Sequence, residues 1–193
     1  MASTAAHRST GWAVGVVAAA IVSLRLADPY HLWTVATLLC AYAGSTAPDW
    51  LENAWWSQGG GRKLWIAHRS WTHWGIAWLA LLIASYRALP QTPLAALAFG
   101  FAVGGIMHLL ADWPNPLGVP WLLTKRHSLG WWKSGRCDYL LIAAAWTAAL
   151  VIADQVWWHG LMRHHVAVVA VTLAQALPRT HVDMLGNWLH PFK

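Results

Sequence analysis

The chain has 193 residues, of which 58% are hydrophobic and only 10% charged. Soluble domains carry roughly 25% charged residues, so the composition excludes an ordinary soluble globular fold. The formal charge of +6 would suit nucleic acid, but in so apolar a chain basic residues set membrane topology first, and no nucleic-acid partner is expected.

A spanning helix needs about 20 mainly apolar residues, with a range of roughly 17 to 25. Five segments approach that length: 11–26, 31–47, 71–89, 94–113 and 139–158. The first is short, so Arg8 and Arg25 must snorkel outward at its ends. The fourth carries Gly100 and Gly104, a small-xxx-small face for close helix contact. A sixth apolar stretch, 166–177, is either an interfacial helix or a truncated span. Cys40 and Cys137 make no disulfide framework, and no cleavable signal peptide is evident. The expected fold is all-α: one membrane-embedded domain over 1–193, a polytopic bundle of about five transmembrane helices with a short sixth or interfacial helix.

Orientation follows from the loops. With a cytoplasmic N-terminus, that side receives eight basic residues: Arg8, Arg62, Lys63, Arg69, Lys125, Arg126, Lys133 and Arg136. The other side receives three, Arg25, Arg87 and Arg163, and the positive-inside rule makes loops 48–70 and 114–138 cytoplasmic. The seventeen tryptophans include Trp55, Trp56, Trp65, Trp113, Trp121, Trp131 and Trp132, which suit a belt at the membrane interface.

Seven ionisable residues from five helices then fall at that same end: His7, Asp49, His68, His73, His108, Asp112 and Asp138. His108 and Asp112 are four apart, hence on one helix face, and a histidine inside a long apolar helix is functional by default. His68 and Thr72 share that spacing, whereas His73 is turned off their face, binds a second metal or supports the first, or the helix begins between the two histidines. Imidazole with carboxylate suits zinc, and also manganese or iron; seven donors exceed one tetrahedral ion and suffice for two. Asp49 after Pro48 could instead serve a turn, and Asp138 could cap the fifth helix. His127, His159, His164, His165, His181 and His190 are read as loop residues, with His181-Val182-Asp183 a weak metal hint.

The motifs come in a definite order: Ala47-Pro48-Asp49, then His68-Arg69-Ser70-Trp71-Thr72-His73, then His108-Leu109-Leu110-Ala111-Asp112, with Pro116-Leu117-Gly118-Val119-Pro120 downstream. In this the chain resembles the YdjM-like family of bacterial inner-membrane metal-dependent hydrolases. That family shows a histidine before a glycine-bearing first helix, then PDxD, HRxxTHS and HxxxD motifs and a GxxE-like element. His7 with Gly11 matches the first, and Gly135 with Asp138 the last, over residues 7–142. The segment 159–193 is variable. Two positions depart from the pattern: Leu51, with Glu52 beside it, replaces the second aspartate of PDxD, and Trp74 replaces the serine. The resemblance implies a divalent cofactor, zinc before manganese or iron, in one or two copies. Within that pattern Arg69, Thr72 and His73 are the expected catalytic residues, with membrane lipids as surroundings. The substrate does not follow from the resemblance; it is the donor types, Arg69 and the rim of tryptophans and basic residues that point to a lipid-linked or anionic small-molecule phosphoester. A structural metal clamp in an assembly factor and a metal-ion transporter are the competing classes. Transport sites lie near the midplane, so donors at one membrane face argue against the second.

Overall fold

The computed structural model describes residues 2–53, 66–122, 125–133 and 135–176. They fall in two compact units, Met1–Ala153 and Asp154–Lys193. In chain order come α1 (Thr4–Arg25), α2 (Leu32–Gly44), the single turn α3 (Ala47–Trp50), a 3-10 turn (Trp71–His73), α4 (Gly75–Ala88), α5 (Ala95–Asp112), α6 (Asp138–Val156) and α7 (Leu161–Ala176). Among the described residues there is no strand, only a bridge between Val119 and His127, so the class is all-α. By length and composition α5 and α6 can each cross a membrane, while α2 and α4 are apolar but shorter. His164 and His165, expected in a loop, lie within α7, whose start at Leu161 precedes the apolar run. Expectations at Trp55, Trp56, Arg62, Lys63, Trp65, His181, Asp183 and His190 lie outside the described residues.

Local chemistry sets the helix ends. The Ser3 hydroxyl accepts from the Ala6 N–H and caps α1. His31 precedes α2 in a left-handed conformation, and Asp28 accepts from both the N–H and the hydroxyl of Thr34 in its first turn. Pro48 at the start of α3 presets its helical φ and needs no donor there.

Packing centres on α5, which lies against α1, α2 and α4. Gly100 and Gly104 of α5 abut the carbonyls of Thr37 and Ala41, and Gly44 of α2 abuts that of Phe101. A Cβ at any of the three would collide with backbone, so α2 and α5 touch main chain to main chain, as the glycine spacing predicts. The interior is small and polar. Ala18, Ala41, Ala96 and Ala102 are buried together with His7, Glu52, Arg69, His73, His108 and Asp112. Bulky side chains such as Leu79 and Ile83 of α4, and Leu140, Leu150 and Val151 of α6, point outward instead. Trp78, Leu89, Phe99 and Leu109 are buried as well, but this many buried charges beside this many exposed bulky apolar groups fits lipid surroundings and not water.

Candidate metal centre

Five segments bring their polar groups to one buried spot. On α5, His108 and Asp112 lie one turn apart on the same face. Just past the end of α2, the Ser45 carbonyl lies 2.8 Å from Nδ1 of His108. A carbonyl only accepts, so Nδ1 carries the proton and Nε2 turns its lone pair inward.

Glu52 fixes the histidines of the 66–74 segment. Arg69 adopts a left-handed backbone (φ 59°), which reverses the chain between His68 and the 3-10 turn so that both rings meet the same carboxylate. Nδ1 of His68 lies 2.5 Å from one Glu52 oxygen, and Nδ1 of His73 lies 3.0 Å from the other. That second oxygen also accepts from the Arg69 N–H at 2.7 Å and the Thr72 hydroxyl at 2.8 Å. Burial alone would raise the Glu52 pKa, but the bonds from His73, His68, Thr72 and Arg69 outweigh it and hold it at about 2. Glu52 is therefore a fixed anion, and His73 donates Nδ1–H to it and offers Nε2.

Three donor atoms now face one another. Nε2 of His73 and Nε2 of His108 are 3.3 Å apart. Oδ1 of Asp49 is 3.6 Å from the first and 3.8 Å from the second. Metal–ligand bonds of about 2.0–2.1 Å in tetrahedral array put donors roughly 3.3 Å apart, so the set fits a zinc-sized ion. Asp49 Oδ1 is buried without a hydrogen-bond partner, as are both ring nitrogens of His7. His7 stacks on His108 with ring centroids 3.9 Å apart, and its Nε2 is 3.6 Å from Asp112. Three overlapping groups could hold an ion: Asp49, His73 and His108; His7, His108 and Asp112; and Asp49, Glu52 and His68. His108 has a single free nitrogen and can serve only one of the first two at a time.

Asp112 has other partners. One oxygen is ion-paired with the Arg69 guanidinium, both groups being buried, and the other accepts the Ala2 N–H at 3.0 Å. Arg69 also donates to the Gly118 carbonyl at 2.5 Å, and so ties Asp112 to the 118–120 segment. Burial lowers the Arg69 pKa, against which the Asp112 charge works. Thr72 meets Glu52 and not the inward donor set.

Of the seven donors read from the sequence, six meet in these groups and Asp138 does not. It stands at the start of α6 and accepts the Ser3 N–H at 2.9 Å, at the N-terminus of α1. Glu52 is the group the motif reading passed over. Residues three apart share a helical face whereas residues two apart do not, so after Asp49 it is Glu52 that turns inward. Leu51 packs instead against the apolar cluster of Ala47, Trp78, Leu109 and Val119.

Fold and site together define a helical membrane protein with a buried histidine–carboxylate centre. A family model described as YdjM inner membrane protein matches residues 1–182, and the chain belongs to that family. No curated protein and no solved structure matches it.

Proposed function

We propose that this protein is a metal-dependent hydrolase of the bacterial inner membrane, a multi-pass bundle of about five spans whose site faces the cytoplasm. Its substrate is an anionic phosphoester, lipid-linked or otherwise held at the membrane. One observation carries the reading. Three donors stand near tetrahedral spacing while the adjacent carboxylate, Asp112, is ion-paired with Arg69, so an ion held by those three would have a position left for water. Open positions mark catalytic sites, whereas structural ones are closed by protein ligands.

Asp49, His73 and His108 would hold the ion, with His7 and Asp112 beside them. A divalent ion there supplies Lewis acidity and lowers the pKa of a water it binds to roughly 7. Glu52 fixes the tautomer of His73, and Thr72 helps to fix Glu52. His68, half-buried at the rim and donating Nδ1–H to Glu52, has Nε2 free to take a proton from an attacking water and then to pass it to the leaving group. Arg69 holds Asp112 in place and brings positive charge to where negative charge develops.

The test is elemental analysis of the purified full-length protein, joined to headgroup and phosphate release from a panel of lipid phosphoesters in nanodiscs. About one ion per chain and turnover absent from His108→Ala are expected. Two ions per chain would move Glu52 and His68 into ligand roles. If no substrate is turned over faster than by His108→Ala, and the metal proves fully enclosed, the hydrolase gives way to a structural clamp.

A further inference from the structure

Against Arg69, the partner of Asp112, lies a cavity of about 330 Å³ between the 3-10 turn with the start of α4 and the residues Pro120, Leu122 and Arg126. Its walls are joined by backbone. Gly75 N–H donates to the Pro120 carbonyl at 2.9 Å, Ile76 N–H to that of Trp121 at 2.8 Å, and the Trp74 indole to that of Leu122 at 3.2 Å. Those bonds hold the walls in fixed register. The lining is sharply divided. Trp71, Trp74, Pro120 and Leu122 are apolar, and Arg69 and Arg126 bring two guanidiniums.

Neither arginine is saturated. Arg126 is exposed, donates one bond to the His68 carbonyl at 2.7 Å, and among the described residues has no carboxylate partner. A guanidinium carries five N–H donors, so most of its capacity remains. Arg69 is 1% exposed, and its Nε is buried with no hydrogen-bond partner. Two cations in one lining repel, and an anion taken up beside them relieves that repulsion. At the mouth, Trp71 is 76% and Leu122 67% exposed, a mouth that water would not favour and lipid would. Ligand pockets run from roughly 300 to 1,000 Å³, so this one admits a headgroup and the first methylenes but not two acyl chains, which would stay in the bilayer.

We propose that this cavity receives the phosphate-bearing head of one anionic phospholipid from the adjoining leaflet, its phosphate on Arg126 and Arg69 and its upper chain against Trp71, Trp74 and Leu122. This rests on the hydrolase reading and deepens it, because Arg69, which lines the cavity, also holds Asp112 of the metal centre.

Native mass spectrometry of the full-length protein in detergent, titrated with phosphatidic acid, phosphatidylcholine or inorganic phosphate, tests it. Phosphatidic acid should bind at least about 10-fold more tightly than phosphatidylcholine, since a charge-assisted bond is worth that much. Inorganic phosphate at equal concentration should not displace it. Arg126→Gln should weaken phosphatidic acid binding about 10-fold while Arg126→Lys keeps most of it, with metal content unchanged in both. Trp71→Ala, at an exposed position, should weaken the lipid and leave inorganic phosphate unaffected. Equal binding by Arg126→Gln, or displacement by inorganic phosphate, overturns the proposal. Arg126-dependent lipid binding without hydrolysis would sink the hydrolase and leave the pocket. Turnover with a KM that Arg126→Gln does not move would sink the pocket and leave the hydrolase.

Discussion

Glu52→Gln isolates what a buried carboxylate does for the metal centre. Alanine would be uninformative. It strands three buried donors, His73 Nδ1–H, the Arg69 N–H and the Thr72 hydroxyl, at about 1–3 kcal/mol each, against a total stability of roughly 5–15 kcal/mol. Glutamine keeps the shape and one oxygen for those donors, and loses the charge. Its amide nitrogen faces Nδ1 of His68, which must then accept and carry its proton on Nε2. His73 keeps its tautomer but loses its anionic partner, so Nε2 becomes a weaker base. Removing such an outer carboxylate typically costs 10- to 100-fold in metal affinity, about 1.4–2.7 kcal/mol. Competition between chelator-treated protein and a chromogenic chelator for zinc reads that change directly, with thermal melting as the control for folding. Unchanged affinity would show that Glu52 does not orient His73. Loss of one whole metal equivalent would show that Glu52 is itself a ligand, and either result refutes the reasoning.

Three further outcomes are expected. Asp49→Ala and His108→Ala should each abolish most metal binding by elemental analysis, whereas His164→Ala, in α7, and Asp138→Ala, at the start of α6, should keep it; loss of the bond from the Ser3 N–H, about 0.5–1.5 kcal/mol, should appear in melting of the Asp138 variant. Gly104→Leu drives a side chain into the Ala41 carbonyl, so monodisperse protein on size exclusion should fall sharply, and a well-behaved, metal-replete variant would contradict the close α2–α5 contact. For topology, cysteine at exposed Gln91 should label from the periplasm in intact cells and cysteine at Lys125 should not; the opposite pattern would invert the orientation.

The helices were legible because apolar runs are the plainest signal a chain carries, and each of the six apolar segments carries a helix. Gly100 and Gly104 announced the contact they make, and the spacing of His108 and Asp112 announced their shared face. Asp138 lies outside the three donor groups because counting from segment ends fixes depth in the bundle but not position around it. Its carboxylate lies at the right end and serves α1. Glu52 was hidden behind a motif written for position 51. The α3 turn rotates residue 51 toward the apolar cluster and residue 52 toward the histidines, which spacing shows only once that stretch is known to be helical. The Arg69–Asp112 pair was beyond reach of the sequence, since it depends on a left-handed residue in a loop.

The backbone contact between α2 and α5 leaves those helices no side-chain cushion in which to slide. At about 1.5 Å per residue, the 18 residues of α5 rise roughly 27 Å and the 14 of α4 roughly 21 Å, so in the five-span reading the apolar thickness of the protein is uneven around its perimeter. A bilayer that matches one side does not match the other. Tilting α5 against α2 to relieve the strain would drag His108 from the Ser45 carbonyl that sets its tautomer. If α4 spans as in that reading, the lipid deforms in place of the protein, thinning beside α4, and the thickness of the host membrane would act as a mechanical load on the geometry of the donor set.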